Sequence, residues 1–282
     1  MDKPSGPTSH DVVAQVRRIF GLRAVGHTGT LDPFATGLLV LLLGRATRLA
    51  RFVEAAPKTY LAVARLGRRT DTDDRTGAPL GQAADVATLD TGSVRAALQA
   101  LAGDRPQRPP VFSAKRLGGE RSYRLARRGR PVELAEVAVT VHSIELVAWS
   151  APDATFRATV SAGTYVRALA RDLGDALGVG AHLVELRREA VGALRVEDAV
   201  PLDRLLAETP LVPLRAVLRD LPAVALDAAE RDAVRHGRFV ADRWVHGRPG
   251  SGPVALLAEG DVVAVARPDA GQLRPIVVLE GA

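Results

Sequence analysis

An aspartate followed by proline, set in a loop with three glycines, is the first group in this chain that could do chemistry. The stretch Gly26-His27-Thr28-Gly29-Thr30-Leu31-Asp32-Pro33-Phe34-Ala35-Thr36-Gly37 is too rich in glycine and small hydroxyl residues for a long regular element. A residue before proline is pushed toward extended geometry, so the Asp32 carboxylate is not absorbed into a helix cap, and the glycines let other backbone come close. Read alone, the same pair is a weak signal, and a turn-initiating Asp-Pro is the better reading of it. The second candidate is Gly163-Thr164-Tyr165-Val166-Arg167, where a strand runs into a helix with an aromatic ring and a guanidinium two residues apart. An Arg paired with a buried carboxylate keeps it ionised and oriented, with a pKa depressed typically by about 1 to 3. A helix-surface Arg beside a core Tyr is the simpler reading of those five residues. Other chemistries find no residues to carry them. There is no Cys, so thiolate metal sites, disulfides and a Cys nucleophile are excluded. His10, His27, His142, His182, His236 and His246 show no paired ligand spacing, and no P-loop, dinucleotide fingerprint or Gly-x-Ser-x-Gly elbow occurs. Catalysis falls to carboxylates, Tyr, Arg or His, with no metal and no cofactor.

The elements that would position these groups can be read from periodicity and punctuation. Val12, Val16, Ile19 and Phe20 form the apolar face of an opening helix capped by Ser9 and ended by Gly21. After the glycine loop come a buried strand over 38–43, a helix over 46–54 and a strand over 58–66. An acidic turn, Thr70-Asp71-Thr72-Asp73-Asp74, precedes an amphipathic helix over 94–101. Strands over 137–147 and 154–161, a helix over 165–177 and a strand over 183–188 follow. Pro- and Leu-punctuated sequence over 201–221 then gives way to short β-like stretches at 254–257, 262–266 and 276–279, which places a domain boundary near Leu221.

The chain has 282 residues, 47% hydrophobic, and a net charge of +6. The charge is local. Residues 105–130 contain nine Lys or Arg against the single acid Glu120, so this segment carries +8 and the remainder about −2. Such a patch reads as the footprint of a polyanion, against a solvated Arg-rich loop as the plainer alternative. Its Pro106, Pro109, Pro110, Gly118, Gly119 and Gly129 make it mostly loop, with a short helix near Tyr123. Only Lys3, Lys58 and Lys115 are lysines among 38 basic residues. The longest apolar run, 38–43, is far short of the roughly 20 residues of a membrane helix, and the N-terminus is polar, so a cytoplasmic protein with no membrane association is expected.

Taken together, the motifs closely resemble the bacterial TruB family of tRNA pseudouridine synthases. They are Gly26-His27-Thr28-Gly29-Thr30-Leu31-Asp32-Pro33 with Ala35-Thr36-Gly37, Lys58-Thr59-Tyr60, Gly67 with Arg69-Thr70-Asp71-Thr72, Gly163-Thr164-Tyr165-Val166-Arg167, and His182-Leu183-Val184-Glu185-Leu186-Arg187-Arg188. The resemblance runs from Asp2 to about Leu202, and the β-like pattern after Leu221 more loosely resembles that family's PUA-like RNA-binding domain. Family members carry a short apolar strand before the segment matching Asp2-Lys3-Pro4, so the resemblance places the natural start upstream of Met1.

The resemblance implies an α+β fold: a catalytic domain over 1–220, with a large mixed, mainly antiparallel sheet and helices, then a small β-rich PUA-like domain over 221–282. It implies isomerisation of uridine 55, in conventional tRNA numbering, in the T arm. Asp32 would be the catalytic nucleophile, Arg167 its ion-pair partner, and Tyr60 the ring stacked on the target base, with its hydroxyl near the C5 proton. Tyr165 and Leu186 would complete the uracil pocket, Asp74 would accept a Tyr hydroxyl, and His27 would take the place of the flipped base. Lys115, Arg116, Arg121, Arg124, Arg127 and Arg128 would hold T-arm phosphates. The partner is tRNA alone, with no protein partner and a monomeric enzyme. A non-catalytic RNA-binding or tRNA-folding protein would explain the basic segment but leaves Asp32, Tyr60 and Arg167 without a role. A guide-RNA-dependent synthase would bring a basic tail that this sequence lacks, and a carboxylate hydrolase would need a second acidic motif.

Overall fold

The computed structural model describes residues 1–113, 116–117, 120–122, 128, 134–242 and 252–280. Its main sheet has eight strands: β1 (Asp2–Lys3), β2 (Thr36–Leu38), β3 (Lys58–Leu66), β4 (Gly103–Gln107), β5 (Val137–Ser150), β6 (Asp153–Val160), β7 (Ala181–Val191) and β8 (Leu194–Arg195). The order is β1-β2-β7-β3-β6-β5-β4, with β8 pairing on β7. Among the described pairings of this sheet, only β7 and β2 run parallel. Central β3 alternates as a half-buried strand must, with Lys58, Tyr60, Ala62, Ala64 and Leu66 turned inward. Large meets small across the ladder: Phe156 of β6 lies opposite Ala62, and Ala158 opposite Tyr60. The inward face packs against α1 (Ser9–Phe20), α2 (Thr91–Gln99) and α3 (Val166–Ala176), whose Val12, Val16, Val94, Leu98, Leu169 and Leu173 share one core.

The structure corrects several sequence expectations. Thr8, not Ser9, caps α1, because its side chain reaches the Asp11 N–H while Asp11 answers to the Thr8 backbone, a reciprocal capping box. Ser9 is thereby the first helical residue, buried, and its hydroxyl both donates to the Leu31 carbonyl (3.1 Å) and accepts from the Leu31 N–H (2.9 Å). The apolar run 38–43 is not one strand. Leu38 ends β2, and Leu41–Leu43 pairs instead with Val25–His27 in a separate ribbon. Burial was correctly legible, but the run faces two ways: Leu39, Leu41 and Leu43 join the main core, while Leu38 and Val40 join a second. The expected helix over 46–54 begins as a 3-10 turn, Gly44–Leu49, before the α-helical Ala50–Glu54. The expected short helix near Tyr123 lies outside the described residues.

A second sheet follows, ordered β9-β11-β12-β13-β10, from β9 (Ala223–Ala225), β10 (Val240–Ala241), β11 (Val254–Ala258), β12 (Asp261–Asp269) and β13 (Gln272–Val278), with α4 (Ala228–Arg235) beside it. The two sheets are joined by the second core, in which Leu38, Leu49, Val53 and Val191 meet Val262, Val265 and Val277. Arg45 and Arg48 add donors to the carbonyls of Leu279 and Val278. Among the described residues no helix is long and apolar enough to cross a membrane.

Candidate active site

The loop carrying Asp32 is fixed from both sides. Ser9 grips Leu31 just before it. Just after it, the Pro33 carbonyl accepts from the Gly6 N–H (2.8 Å) and from Nζ of Lys3 (3.3 Å), which also donates to Pro4 and Pro7. Lys3 is fully buried, and desolvation lowers its pKa to about 8, with Asp32 opposing that fall. Arg188, also fully buried, donates to Leu38 through Nε (2.6 Å) and to Gly29 through Nη2 (3.0 Å). Gly37 lies at φ 100° with the Arg188 carbonyl so close that a Cβ would sit 2.3 Å from it, so only glycine lets β2 and β7 meet here. These cations and contacts leave Asp32 little choice of place.

Its carboxylate is met by a fork. Arg167 Nε lies 2.9 Å from Oδ2, and Nη2 donates to Oδ1 at 3.2 Å. The same guanidinium donates to the Thr72 carbonyl (2.9 Å) and the Phe112 carbonyl (3.1 Å), and stands 3.4 Å from Asp74 Oδ2. The Arg167 side chain is 6% exposed and that of Asp32 is 32% exposed, so the guanidinium is sealed while the carboxylate keeps an open face. Burial pushes the Asp32 carboxyl above its ordinary range, Arg167 pulls it back, and Asp74 pushes it up again. The net shift is upward, not the depression expected of the ion pair, because burial outweighs the two cations, Arg167 and Lys3, that favour the ionised carboxylate.

That open face looks into a cavity of about 940 Å³. Tyr60 and Leu186 contribute from adjacent strands, Tyr165 from the turn into α3, and His27 from the end of its ribbon. The Tyr165 hydroxyl meets the Ser113 side chain, and burial raises its pKa, so it stays a neutral phenol. Among the described residues His27 Nδ1 is buried without a hydrogen-bond partner, and desolvation lowers the ring's pKa, so a neutral imidazole lines the cavity.

The remaining expectations fare differently. Asp74 is buried behind Arg167, and it accepts from the hydroxyls of Thr72 (2.8 Å) and Thr76 (2.6 Å) and from the Thr76 N–H (2.9 Å). Among the described residues, the donors that reach Asp74 are those of its own turn and Arg167, and none of them is a Tyr hydroxyl. Arg116 and Arg121 pair across a small ribbon, Arg116–Leu117 with Glu120–Arg121, and Arg128 is exposed in a turn. Lys115, Arg124 and Arg127 lie outside the described residues. At the root of the basic segment, Arg105 pairs with Asp172 (3.0 Å) and Arg108 with Glu136 (3.8 Å), so two of its nine cations face acids of the protein. Sequence reasoning passed over Lys3, Arg188 and Gln107. Both described lysines, Lys3 and Lys58, are buried.

Comparison with known proteins assigns this arrangement to a class. The family model described as TruB family pseudouridylate synthase (N terminal domain) matches residues 17–166, and that described as tRNA pseudouridylate synthase B C-terminal domain matches 167–223. The class is that of the pseudouridine synthases. Relatives named tRNA pseudouridine synthase B include one from Thermobifida fusca (strain YX), 45% identical over 100% of this chain and 97% of its own length. Another, from Mycobacterium bovis (strain BCG / Pasteur 1173P2), is 43% identical over 100% and 95%. Among solved structures, an H/ACA RNP bound to a substrate RNA containing 2′-deoxyuridine aligns with a TM-score of 0.77 at 25% identity, over 99% of this chain and 83% of the other. A Cbf5-Nop10-Gar1 complex aligns with a TM-score of 0.76 at 27% identity, over 99% and 84%. The chain belongs to the TruB family: it is an isomerase, a tRNA pseudouridine synthase, with an α+β catalytic fold and a PUA-like C-terminal β unit.

Proposed function

We propose that the enzyme isomerises the single uridine at position 55, in the T arm of tRNA, with Asp32 as the nucleophile. The observation that carries this reading is the half-open carboxylate of Asp32, gripped by a sealed guanidinium and facing a cavity walled by Tyr60, Tyr165 and Leu186. The reaction breaks the N1–C1′ bond, forms a C5–C1′ bond, and moves the C5 proton so that N1 ends protonated; the formula is unchanged and no electrons are exchanged. A carboxylate suits the first step, because it stabilises an electrophilic carbon and can form a transient bond to it. Tyr60 presents a ring face to hold the freed uracil and a hydroxyl to help move the C5 proton. The target must leave its stack, at about a few kcal/mol, and neutral His27 fills the place it vacates. Turnover of an unmodified T-arm hairpin tests this. Pseudouridine should appear at the one loop uridine corresponding to position 55, and a hairpin left unmodified, while full tRNA is modified elsewhere, would refute the T-arm assignment.

The basic segment holds the phosphates in this reading, and the domain division falls near Leu221, with the PUA-like unit adding affinity for RNA. The enzyme acts as a monomer, without a protein partner, in the cytoplasm. Changing Arg121, Arg124, Arg127 and Arg128 together to Ala should weaken tRNA binding and reduce the salt slope of log K by roughly one for each phosphate no longer neutralised. An unchanged slope would return the segment to a solvated loop.

A further inference from the structure

Gln107 ends β4 immediately before the chain leaves the sheet through Arg108, Pro109 and Pro110 into the rest of the basic segment. It is 1% exposed. A buried primary amide must satisfy both its carbonyl and its amino group, and here both turn to one residue. Oε1 accepts from the Tyr165 N–H (2.8 Å), and Nε2 donates to the Tyr165 carbonyl (3.2 Å). Tyr165 stands just ahead of α3, where the helix has no side-chain cap. The clamp therefore holds the peptide groups on both sides of the Tyr165 Cα, and so the direction of its ring into the cavity, two residues from the guanidinium that holds Asp32. Neighbours on the same stretch reinforce it: the Phe112 carbonyl accepts from Arg167, and Ser113 meets the Tyr165 hydroxyl.

We propose that Gln107 is a positioning residue for the isomerisation, acting through Tyr165 to set the wall against which the flipped uracil is held. This rests on the placement of Tyr165 in the uracil pocket. The test compares Gln107→Met, Gln107→Glu and Tyr165→Ala with the wild type. Single-turnover pseudouridine formation is read at saturating unmodified tRNA transcript across pH, together with tRNA affinity and thermal melting. Met keeps the length and loses both hydrogen bonds, so the rate should fall about 30-fold while tRNA Kd moves less than about threefold. Glu is the diagnostic variant. A neutral carboxylic acid reproduces both bonds, whereas a carboxylate keeps only the one from the N–H and repels the carbonyl. Burial raises a carboxyl pKa, so the ratio of the Gln107→Glu rate to the wild-type rate should climb toward one as pH falls and drop by about tenfold or more as it rises.

A merely structural role would not produce that crossing at constant Kd. A Gln107→Met rate within about threefold of wild type while Tyr165→Ala is crippled would overturn the proposal alone. So would a flat Gln107→Glu ratio, or a loss of tRNA affinity equal to the loss of rate. If Tyr165→Ala itself turned over at the wild-type rate, the placement of Tyr165 would fail, and the positioning role with it.

Discussion

Arg167→Ala is expected to cost both stability and turnover, and to do so by more than any other single change behind the cavity wall. Arg167 serves the carboxylates of Asp32 and Asp74 and the carbonyls of Thr72 and Phe112 at once. Breaking a buried ion pair by removing one partner costs about 3 to 5 kcal/mol, because the other is left charged and unpaired. Asp32 keeps some access to water, which favours the lower figure. At about 2 to 4 °C per kcal/mol, a melting temperature lower by roughly 6 to 12 °C follows. The chemistry suffers separately. Without the guanidinium, burial and Asp74 both push the Asp32 carboxyl further up. The reactive form is the ionised one, present above that pKa and lost as pH falls through it, so the acid limb of the rate profile should move to higher pH. At neutral pH the single-turnover rate should drop by at least about 100-fold. Arg167→Lys should recover part of the stability and little of the rate, since an ammonium cannot make the two parallel bonds to one carboxylate. Thermal melting and a pH series of single-turnover rates check both halves; an Arg167→Ala protein with unchanged melting and an unchanged acid limb would contradict the pairing.

Asp32, Tyr165 and Arg167 could be singled out as candidates because their sequence surroundings are unusual, whereas Tyr60, Leu186 and His27 were assigned through the family resemblance. An Asp-Pro among glycines and an aromatic-x-Arg at a strand-to-helix turn stand out without any tertiary information. The pairing of Asp32 with Arg167, 135 positions apart, was legible only through the family resemblance. Lys3, Arg188 and Gln107 were illegible for a common reason. Each is satisfied by main-chain groups, including the distant carbonyls of Pro33, Gly29 and Tyr165, and a sequence does not mark which carbonyls will be left needing a donor. A buried Lys is spelled like a surface one. The strand pattern shows the same limit: β3 was read to its ends, whereas the run 38–43 announced burial but not that two cores would divide it.

The central claim is that the Asp32 carboxylate carries the chemistry, and Asp32→Asn tests it most directly. Asn keeps the size and can still accept a hydrogen bond from Arg167 through its carbonyl oxygen. It loses the negative charge and nearly all nucleophilicity. Loop placement should survive, because Ser9, Gly6 and Lys3 grip the backbone of Leu31 and Pro33 and not the carboxylate. The measurement is single-turnover pseudouridine formation on an unmodified tRNA transcript, with tRNA affinity measured on the same preparation. The expected result is a rate lower by at least about 1,000-fold with Kd within a few-fold of wild type, a loss of an interaction made only on the reaction path. A wild-type single-turnover rate in Asp32→Asn would show that this carboxylate is not the catalytic group.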